Sequence, residues 1–192
     1  MGYFRRIEQD VDVHECELLG IQIVRRTSGG GSIYTDKNQL IFSSVTTRPL
    51  GHDVEESFTQ TCGCIIDALD ECGVRATYKP PNDVLVNGKK ISGSAQVKKK
   101  RAYITHSTII LSMDHEIVKK VLKGVKHGYT SSILEQCNKV ISIDALKAAI
   151  KNAFMNRFGI EFKAEEFSMQ EQDLIDKLMK NKYGTHEWNF KR

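Results

Sequence analysis

The sequence has little proline, no Cys-x-x-Cys pair and no apolar run that approaches the length of a membrane span. Three prolines in 192 residues, with 40% hydrophobic and 27% charged residues, exclude a disordered chain and favour a globular one with a hydrophobic core. A net charge of +4 is not by itself a nucleic-acid signature. We therefore expect neither a membrane nor a nucleic acid as a partner.

The cysteines do not form the framework of a secreted, disulfide-bonded domain. The five cysteines are Cys16, Cys62, Cys64, Cys72 and Cys137. An odd count, together with the absence of a signal peptide, indicates reduced thiols and a cytoplasmic location. Cys62 and Cys72 fall at apolar helical positions, which favours thiols buried in a core.

Helices and strands are mixed without regular alternation of strand and helix. Hydrophobic spacing and caps predict helices over residues 11–19, 53–72, 114–122, 142–158 and 168–180. Strands are predicted over residues 21–24, 32–34 and 40–45, followed by a hairpin over 82–97 and a second hairpin that returns through 108–111. This order predicts an α+β fold with a mostly antiparallel β-sheet flanked by helices, in a single domain over residues 1–192.

The segment "NDVLVNGKKISGSAQV" predicts a two-residue hairpin turn at Asn87-Gly88. A regular register then pairs Val84 with Ile91 and Asp83 with Ser92, and it defines two faces. The predicted core face carries Val84, Val86, Ile91, Gly93, Ala95 and Val97, and the predicted polar face carries Asp83, Lys90, Ser92, Ser94 and Gln96. The polar face is either the solvent side of a sheet or a site with a carboxylate and an ammonium on adjacent strands. A shift of one residue would exchange the faces.

The segment "RRTSGGGSIYTD" contains a glycine run between two predicted strands. A flexible linker would have polar flanks without a pattern, whereas Ile23-Val24 and Ile33-Tyr34 are apolar. Glycines between strands let main-chain N–H groups approach an anion, and Arg25 and Arg26 would add a fork for carboxylate or phosphate. The pattern favours a ligand cradle over a hinge.

Three segments resemble motifs of the lipoate–protein ligases, in the same order along the chain. "RRTSGGGS" is similar to their Arg-Arg-x-Ser-Gly-Gly-Gly motif, "NDVLVNGKKISGSAQ" to their Asn-Asp and Lys-[Ile/Val]-Ser-Gly-Ser-Ala motif, and "THSTIIL" to their His-Gly-Thr-Leu-Leu strand. The resemblance implies a biotin/lipoate ligase-like fold and a single catalytic domain over residues 1–192. It also implies two steps: lipoate and ATP give lipoyl-AMP and pyrophosphate, and a lysine of an acceptor protein then takes the lipoyl group.

The resemblance also assigns site residues. Lys90 matches the catalytic lysine of the family. Lipoate and adenylate binding is implied for Arg25, Arg26, Ser28, Gly29, Gly30, Gly31, Asn82, Asp83, Ser92, Gly93, Ala95 and His106. Asp83 would bind Mg²⁺ beside ATP. The implied acceptors are lipoyl domains of 2-oxoacid dehydrogenase E2 and glycine-cleavage H protein.

Several alternatives remain open at this stage. The segment "KPPND" resembles a motif of biotin ligases, but the glycine run differs from their arginine-rich loop. Octanoyl and lipoyl transferases of this fold use a cysteine, and neither the Asn82 nor the His106 segment contains one. We expect the chain to lack the family's usual N-terminal segment and its C-terminal accessory domain, which implies a separate accessory subunit. With Thr35 in place of the usual histidine, a non-catalytic acyl- or adenylate-binding member is a further alternative.

Overall fold

The structure is a computed structural model that describes residues 1–124 and 128–191. The chain divides into two compact units. The sheet unit consists of the described residues of Thr35–Asp114 and Lys126–Phe162, and the helical unit of those of Met1–Tyr34, His115–Val125 and Lys163–Arg192. Whether residues 1–192 act as a single catalytic domain stays a prediction.

The elements in chain order are α1 (Ile7–Asp10), α2 (Val13–Leu18), β1 (Gln39–Thr46), α3 (Val54–Glu71), β2 (Thr77–Lys79), β3 (Asp83–Val86), β4 (Lys89–Lys98), β5 (Tyr103–Ile110), α4 (His115–Val121), α5 (Ile133–Cys137), α6 (Ile143–Phe158), α7 (Met169–Leu178), a π-helical turn (Met179–Tyr183) and α8 (His186–Asn189). No helix among the described residues combines the length and the apolar character needed to cross a membrane.

The sheet unit is built on five strands in the order β1-β5-β4-β3-β2, and each neighbouring pair is antiparallel. The core of the unit contains Ile65 and Leu69 of α3, Phe154 of α6, and Val84 and Ile109 of the sheet. These side chains place α3 and α6 against one face of the sheet. The predicted α+β class with an antiparallel sheet is confirmed.

Local signals define the ends of the two long helices. The Asp53 carboxylate accepts a hydrogen bond from the N–H of Glu56 at 2.8 Å, and Gly73 follows α3 with φ of 72°. The Ser142 hydroxyl caps α6 by accepting from the N–H of Ala145. Caps of this kind satisfy donors that have no partner within the helix, and they explain why both helices were predicted within one or two residues.

The helical unit has a core of its own. Its buried members are Met1, Ile7, Val11, Cys16 and Val121, drawn from α1, α2, α4 and the segments beside them. The helix α7 begins at a capping box formed by Ser168 and Glu171, as predicted, and none of its residues is buried.

Two of the predicted strands are wrong. Residues 21–24 and 32–34 have no strand assignment. Instead, the N–H of Arg26 donates to the Met1 carbonyl at 3.0 Å, and the N–H of Tyr3 donates to the Ser28 carbonyl at 2.8 Å. The segment that leads into the glycine run is therefore paired with the start of the described chain. The predictions also missed α1, β2, α5 and α8.

Candidate functional site

The hairpin of β3 and β4 turns where the sequence predicts, with φ of 50° at Asn87 and 74° at Gly88. Leu85 pairs with Lys90 as in a regular hairpin, but the register then shifts by one residue, so that Val84 pairs with Ser92 and Asp83 with Gly93. Ile91 is thus the extra residue of a β-bulge. A bulge of this kind moves every later side chain of the strand to the opposite face.

The bulge overturns the predicted assignment of faces beyond Ile91, which lies in the core as predicted. Ser92 and Ser94 are buried on the core side, and the Ser94 hydroxyl lies 2.8 Å from that of Ser107. Gly93 and Ala95, which were predicted in the core, instead share the face of Asp83, because directly paired residues lie on the same side of a sheet.

The face opposite the core collects several of the residues assigned by resemblance. Asp83 pairs with Gly93, and Ala95 pairs with His106 on β5, so all four lie on this face, which we call the open face. The His106 ring nitrogen Nδ1 lies 3.1 Å from the hydroxyl of Ser43 on β1. The prediction that Asp83 and Lys90 share a face is confirmed.

Lys90 and Asp83 form the charged centre of the open face. The Lys90 ammonium lies 2.5 Å from Asp83 Oδ1, with the side chains 29% and 15% exposed respectively. A Cβ atom on Gly93 would lie 2.9 Å from both the ammonium and Cε of Lys90. Gly93 therefore leaves the space in which the lysine crosses the sheet towards the carboxylate.

Asn82 is bonded to β4, and Ser92 lies on the face opposite to its predicted one. The Asn82 side-chain amide donates to the Ser94 carbonyl, and the N–H of Ser94 donates to the Asn82 carbonyl at 3.0 Å. Asn82 therefore holds the main chain of β4 in this structure. The Ser92 side chain is 1% exposed on the core side, so its hydroxyl does not face the centre formed by Lys90 and Asp83.

The glycine run belongs to the helical unit and is closely held. The Arg26 guanidinium donates to the carbonyls of Gly29 at 2.6 Å and Gly31 at 2.9 Å, and its Nε donates to the Ser28 hydroxyl at 3.1 Å. A Cβ atom on Gly30, where φ is 90°, would lie 2.8 Å from this guanidinium. The run is therefore an ordered loop, although the flanking strands that favoured a cradle are absent.

Arg25 differs from the predicted ligand fork. Its side chain is 1% exposed, and one guanidinium nitrogen donates to the carbonyls of Gly2, Tyr3 and Arg5 at 3.1, 3.1 and 2.7 Å. Its Nε donates to the Asn189 carbonyl at 3.2 Å. Arg25 therefore joins three segments of the helical unit. The buried Nη1 of Arg26 has no hydrogen-bond partner among the described residues.

A carboxylate fixes the end of the glycine run. The Ser32 hydroxyl donates to Asp10 at 2.6 Å, and Arg5 donates to both oxygens of the same carboxylate. The hydrogen bonds from Arg5 make the largest contribution to lowering the pKa of Asp10. Asp10 therefore stays ionised at neutral pH and can hold Ser32 in place.

All five cysteine thiols are free. Burial raises the pKa of Cys62 to about 11 and that of Cys64 to about 12. Burial also raises the pKa of Cys16 and Cys72. These four thiols are protonated at neutral pH and lack the activation that a nucleophilic cysteine needs.

Two polar residues at the centre were missed by the sequence analysis. The Tyr129 hydroxyl donates to Asp83 Oδ2 at 3.1 Å, and the Lys79 ammonium donates to the same hydroxyl at 2.9 Å. The capping box of Ser132 and Glu135 marks the start of α5 just after Tyr129 and was a usable signal for an ordered segment. Nothing in the sequence pattern pairs Tyr129 with Asp83.

The fold and the open face define a protein that resembles the lipoate ligases in both arrangement and motif. The lipoyl protein ligase A/B catalytic domain family matches residues 1–155. The chain therefore belongs to the lipoyl protein ligase A/B catalytic domain family.

Two curated relatives have different activities. The octanoyltransferase LipM of Carboxydothermus hydrogenoformans is 26% identical, and the match covers 100% of this chain and 82% of that protein. Lipoate–protein ligase 1 of Staphylococcus aureus is 34% identical, with 95% of this chain and 56% of that protein covered. The family thus includes both a ligase and a transferase among the relatives of this chain.

Three solved structures match at a TM-score of 0.89 and cover 99% of this chain. One is a lipoate protein ligase of Thermoplasma acidophilum with bound lipoic acid, 26% identical, with 80% of that chain covered. The second is a bipartite lipoate protein ligase with its E2 lipoyl domain from the same organism, 27% identical, with 78% covered. The third is a lipoate-protein ligase A bound with ATP, 26% identical, with 80% covered. The predicted lipoate ligase-like fold is confirmed.

Proposed function

We propose that this chain is an ATP-dependent lipoate–protein ligase. It activates lipoate with ATP to lipoyl-AMP and transfers the lipoyl group to a lysine of an E2 lipoyl domain or of glycine-cleavage H protein. The observation that carries the proposal is the Lys90 ammonium, held 2.5 Å from Asp83 above Gly93 on the open face. The lipoic acid, ATP and E2 lipoyl domain named in the matching structures support the substrate class.

The first step brings two anions together, and Lys90 provides the charge that this requires. A carboxylate oxygen of lipoate attacks the α-phosphorus of ATP, a new P–O bond forms, and the bond to pyrophosphate breaks. Lys90 leaves its ion pair with Asp83 and neutralises the charge on the reacting oxygens. In the second step an acceptor amine attacks the acyl carbon, the bond to AMP breaks, and the amine proton passes to solvent. His106 on the open face would contact the substrates, as the resemblance implies.

The donor set does not fit a resident Mg²⁺ ion. Asp83 Oδ1 is in an ion pair with Lys90 and Oδ2 accepts a hydrogen bond from Tyr129, so each oxygen already contacts a group of the protein. Residues 1–124 and 128–191 contain no group of three metal-ligating side chains. No step of the proposed reaction therefore runs through a protein-bound metal. Binding of Mg²⁺ at Asp83 together with ATP stays a prediction, because Mg²⁺ commonly enters such sites on the phosphates of the nucleotide and not as a resident ion.

An octanoyltransferase is the second candidate, and the similarity to LipM over the whole chain favours it. Such an enzyme takes octanoate from acyl carrier protein through a cysteine thioester. The four thiols of raised pKa argue against this route. The exposed Cys137 is the thiol that a transferase would have to use.

One experiment separates the candidates. The purified chain is incubated with an E2 lipoyl domain and either ATP with lipoate or octanoyl acyl carrier protein without ATP, and the acceptor is weighed by mass spectrometry. We expect lipoyl addition only in the first arm. Addition only in the second arm, lost in Cys137→Ser, would overturn the ligase proposal. No addition in either arm, with calorimetric binding of lipoyl-AMP, would support a non-catalytic family member.

The same assay is run with and without a separately expressed accessory subunit. The matching bipartite ligase of Thermoplasma acidophilum supports a need for such a subunit. Lipoyl addition that requires the subunit would establish a partner for this chain. H protein replaces the lipoyl domain in a parallel arm, which tests the second acceptor class.

Replacement of Gly93 by alanine is expected to lower lipoyl-AMP formation by about 10- to 100-fold with little change in stability. The added Cβ atom would lie 2.9 Å from the Lys90 ammonium and must displace this flexible side chain, and a misplacement of about 1 Å in a catalytic group can cost 100-fold in rate. Pyrophosphate release and thermal unfolding measure the two effects. Gly63→Ala is the matched control. Its added Cβ atom would likewise displace the end of a flexible charged side chain, in this case the Arg157 guanidinium on α6. Equal activity losses in the two variants would contradict the expectation.

A further inference from the structure

The Tyr129 hydroxyl links two lysines to one carboxylate. Lys79 Nζ lies 2.9 Å from the hydroxyl and 4.5 Å from the ring centroid of Tyr129, the hydroxyl lies 3.1 Å from Asp83 Oδ2, and Asp83 Oδ1 lies 2.5 Å from Lys90 Nζ. The four side chains form one continuous chain of polar contacts. Two of them, Lys79 and Tyr129, have no role in the reaction proposed above.

The donor and acceptor capacity of each group fixes the direction of the hydrogen bonds in this series of contacts. An ammonium can only donate and a carboxylate can only accept, so the phenol must accept from Lys79 and donate to Asp83. Lys79 is an ammonium at neutral pH, and the hydrogen bond to Tyr129 is the main cause of its raised pKa. The charged donor polarises the phenol and strengthens its bond to the carboxylate.

Tyr129 also holds the main chain of Lys90. The N–H of Lys90 donates to the Tyr129 carbonyl at 2.9 Å, and the N–H of Ser131 donates to the Lys90 carbonyl at 2.9 Å. These bonds flank the parallel bridge between Lys90 and Thr130, next to the bulge at Ile91. The same residue therefore contacts the backbone of the lysine and the carboxylate that binds its ammonium.

We propose that Tyr129, supported by Lys79, is a positioning residue for Lys90 that acts through the Asp83 carboxylate. The role of Lys90 itself rests on the proposed function. With Oδ2 held by the phenol, Asp83 cannot rotate, so its Oδ1 fixes the ammonium above Gly93. When Lys90 moves to an anionic substrate, the polarised phenol keeps a donor on Asp83, which makes the release of Lys90 less costly.

The first test is Tyr129→Phe, which removes the hydroxyl and keeps the ring. We expect kcat for lipoate-dependent pyrophosphate release to fall by about 10- to 100-fold, as for other residues that orient a catalytic group, with KM for ATP and lipoate unchanged. Tyr103→Phe is the matched control, because Tyr103 also has a lysine beside its ring, at 5.6 Å, and lies at the other end of the β3–β4–β5 sheet. An unchanged kcat in Tyr129→Phe would overturn the proposal.

A double-mutant cycle distinguishes positioning through Asp83 from a general structural role. In an Asp83→Asn background, Tyr129→Phe should cause no further loss of kcat, because the contact through which it acts is already altered. The same fold loss in both backgrounds would overturn the proposal.

A third measurement does not depend on turnover. In the free chain labelled with ¹³Cζ-tyrosine, the Tyr129 resonance is assigned by its absence from Tyr129→Phe. It should move in Asp83→Asn and in Lys79→Met, while the Tyr103 resonance stays in place. An unmoved Tyr129 resonance would overturn the proposal. If the Tyr129 resonance moves in these variants but the wild-type chain releases no pyrophosphate, the proposed function is overturned and the contact is supported.

Discussion

Replacement of Lys90 by methionine is expected to lower the rate of lipoyl-AMP formation by about 100- to 1,000-fold, the usual loss when one group that stabilises developing charge is removed. Methionine keeps most of the length of the side chain and removes the positive charge. Lys90 is the ammonium that contacts Asp83 on the open face. Without it, no positive charge at that position neutralises the lipoate carboxylate and the α-phosphate of ATP as they approach each other. Lipoate-dependent pyrophosphate release by the wild-type and variant chains measures the effect.

The same variant should remain folded. Both partners are partly exposed, at 29% and 15%, so water can reach Asp83 after the change. We expect a loss of about 1 kcal/mol, between the values for exposed and buried ion pairs.

Lys89→Met is the control for Lys90→Met. The Lys89 side chain is exposed and donates to the Gly128 carbonyl at 2.5 Å rather than to Asp83. Full activity is expected in this variant. A Lys90→Met chain that keeps more than about a tenth of wild-type activity would remove Lys90 from the mechanism, since an essential charge contributes at least tenfold.

Replacement of Arg25 by methionine is expected to destabilise the helical unit by about 3 to 5 kcal/mol. The guanidinium donates to the carbonyls of Gly2, Tyr3, Arg5 and Asn189, and methionine supplies no donor to any of them. Each buried carbonyl left without a partner costs about 1 to 3 kcal/mol, and water that reaches the partly buried ones offsets part of this sum.

Fluorescence of Trp188, the single tryptophan, reports the unfolding of this unit in urea. Its indole N–H donates to the Arg25 carbonyl at 2.8 Å, so the probe lies beside the change. Arg6→Met is the control, because the exposed Arg6 makes no capping contact at the start of α1. A loss below about 1 kcal/mol in Arg25→Met would show that these carbonyls find other donors.

The sequence predicted those parts of the fold that depend on short-range chemistry. Asn87-Gly88 turns as predicted because both positions need positive φ. The helices α3, α6 and α7 begin at caps that a reader can find from single residues: Asp53, Ser142 and Ser168. In α3 and α6 the apolar spacing then fixes which side faces the core.

The bulge was not predictable from the same signals. The pattern after Lys90 alternates regularly, and the polar residues Ser92 and Ser94 suggested an outward face. In the structure the two serines are buried beside Ser107, and the main chain at Lys90 is also bonded to residues 129–131. Contacts across forty positions of sequence set the register there, and pattern analysis of one strand does not include them.

Arg25 illustrates a second limit. Its position next to Arg26 and a glycine run suggested a ligand fork, since arginines at exposed positions bind anions. Only the three-dimensional arrangement shows that its Nε and Nη1 already donate to main-chain carbonyls, those of Gly2, Tyr3, Arg5 and Asn189. Adjacent residues of one type can thus have different roles, and Arg26 keeps the predicted one as a proposal.

The bulge at Ile91 has a consequence for protein engineering. The extra residue of the bulge decides which side chains of β4 lie on the open face. The face on which Gly93 and Ala95 lie therefore depends on the number of residues that precede them in the strand as well as on their identity. If the segment "ISGSA" were grafted onto a hairpin without a bulge, the sequence of the motif would be kept. The two serines would then lie on the open face in place of the glycine and the alanine.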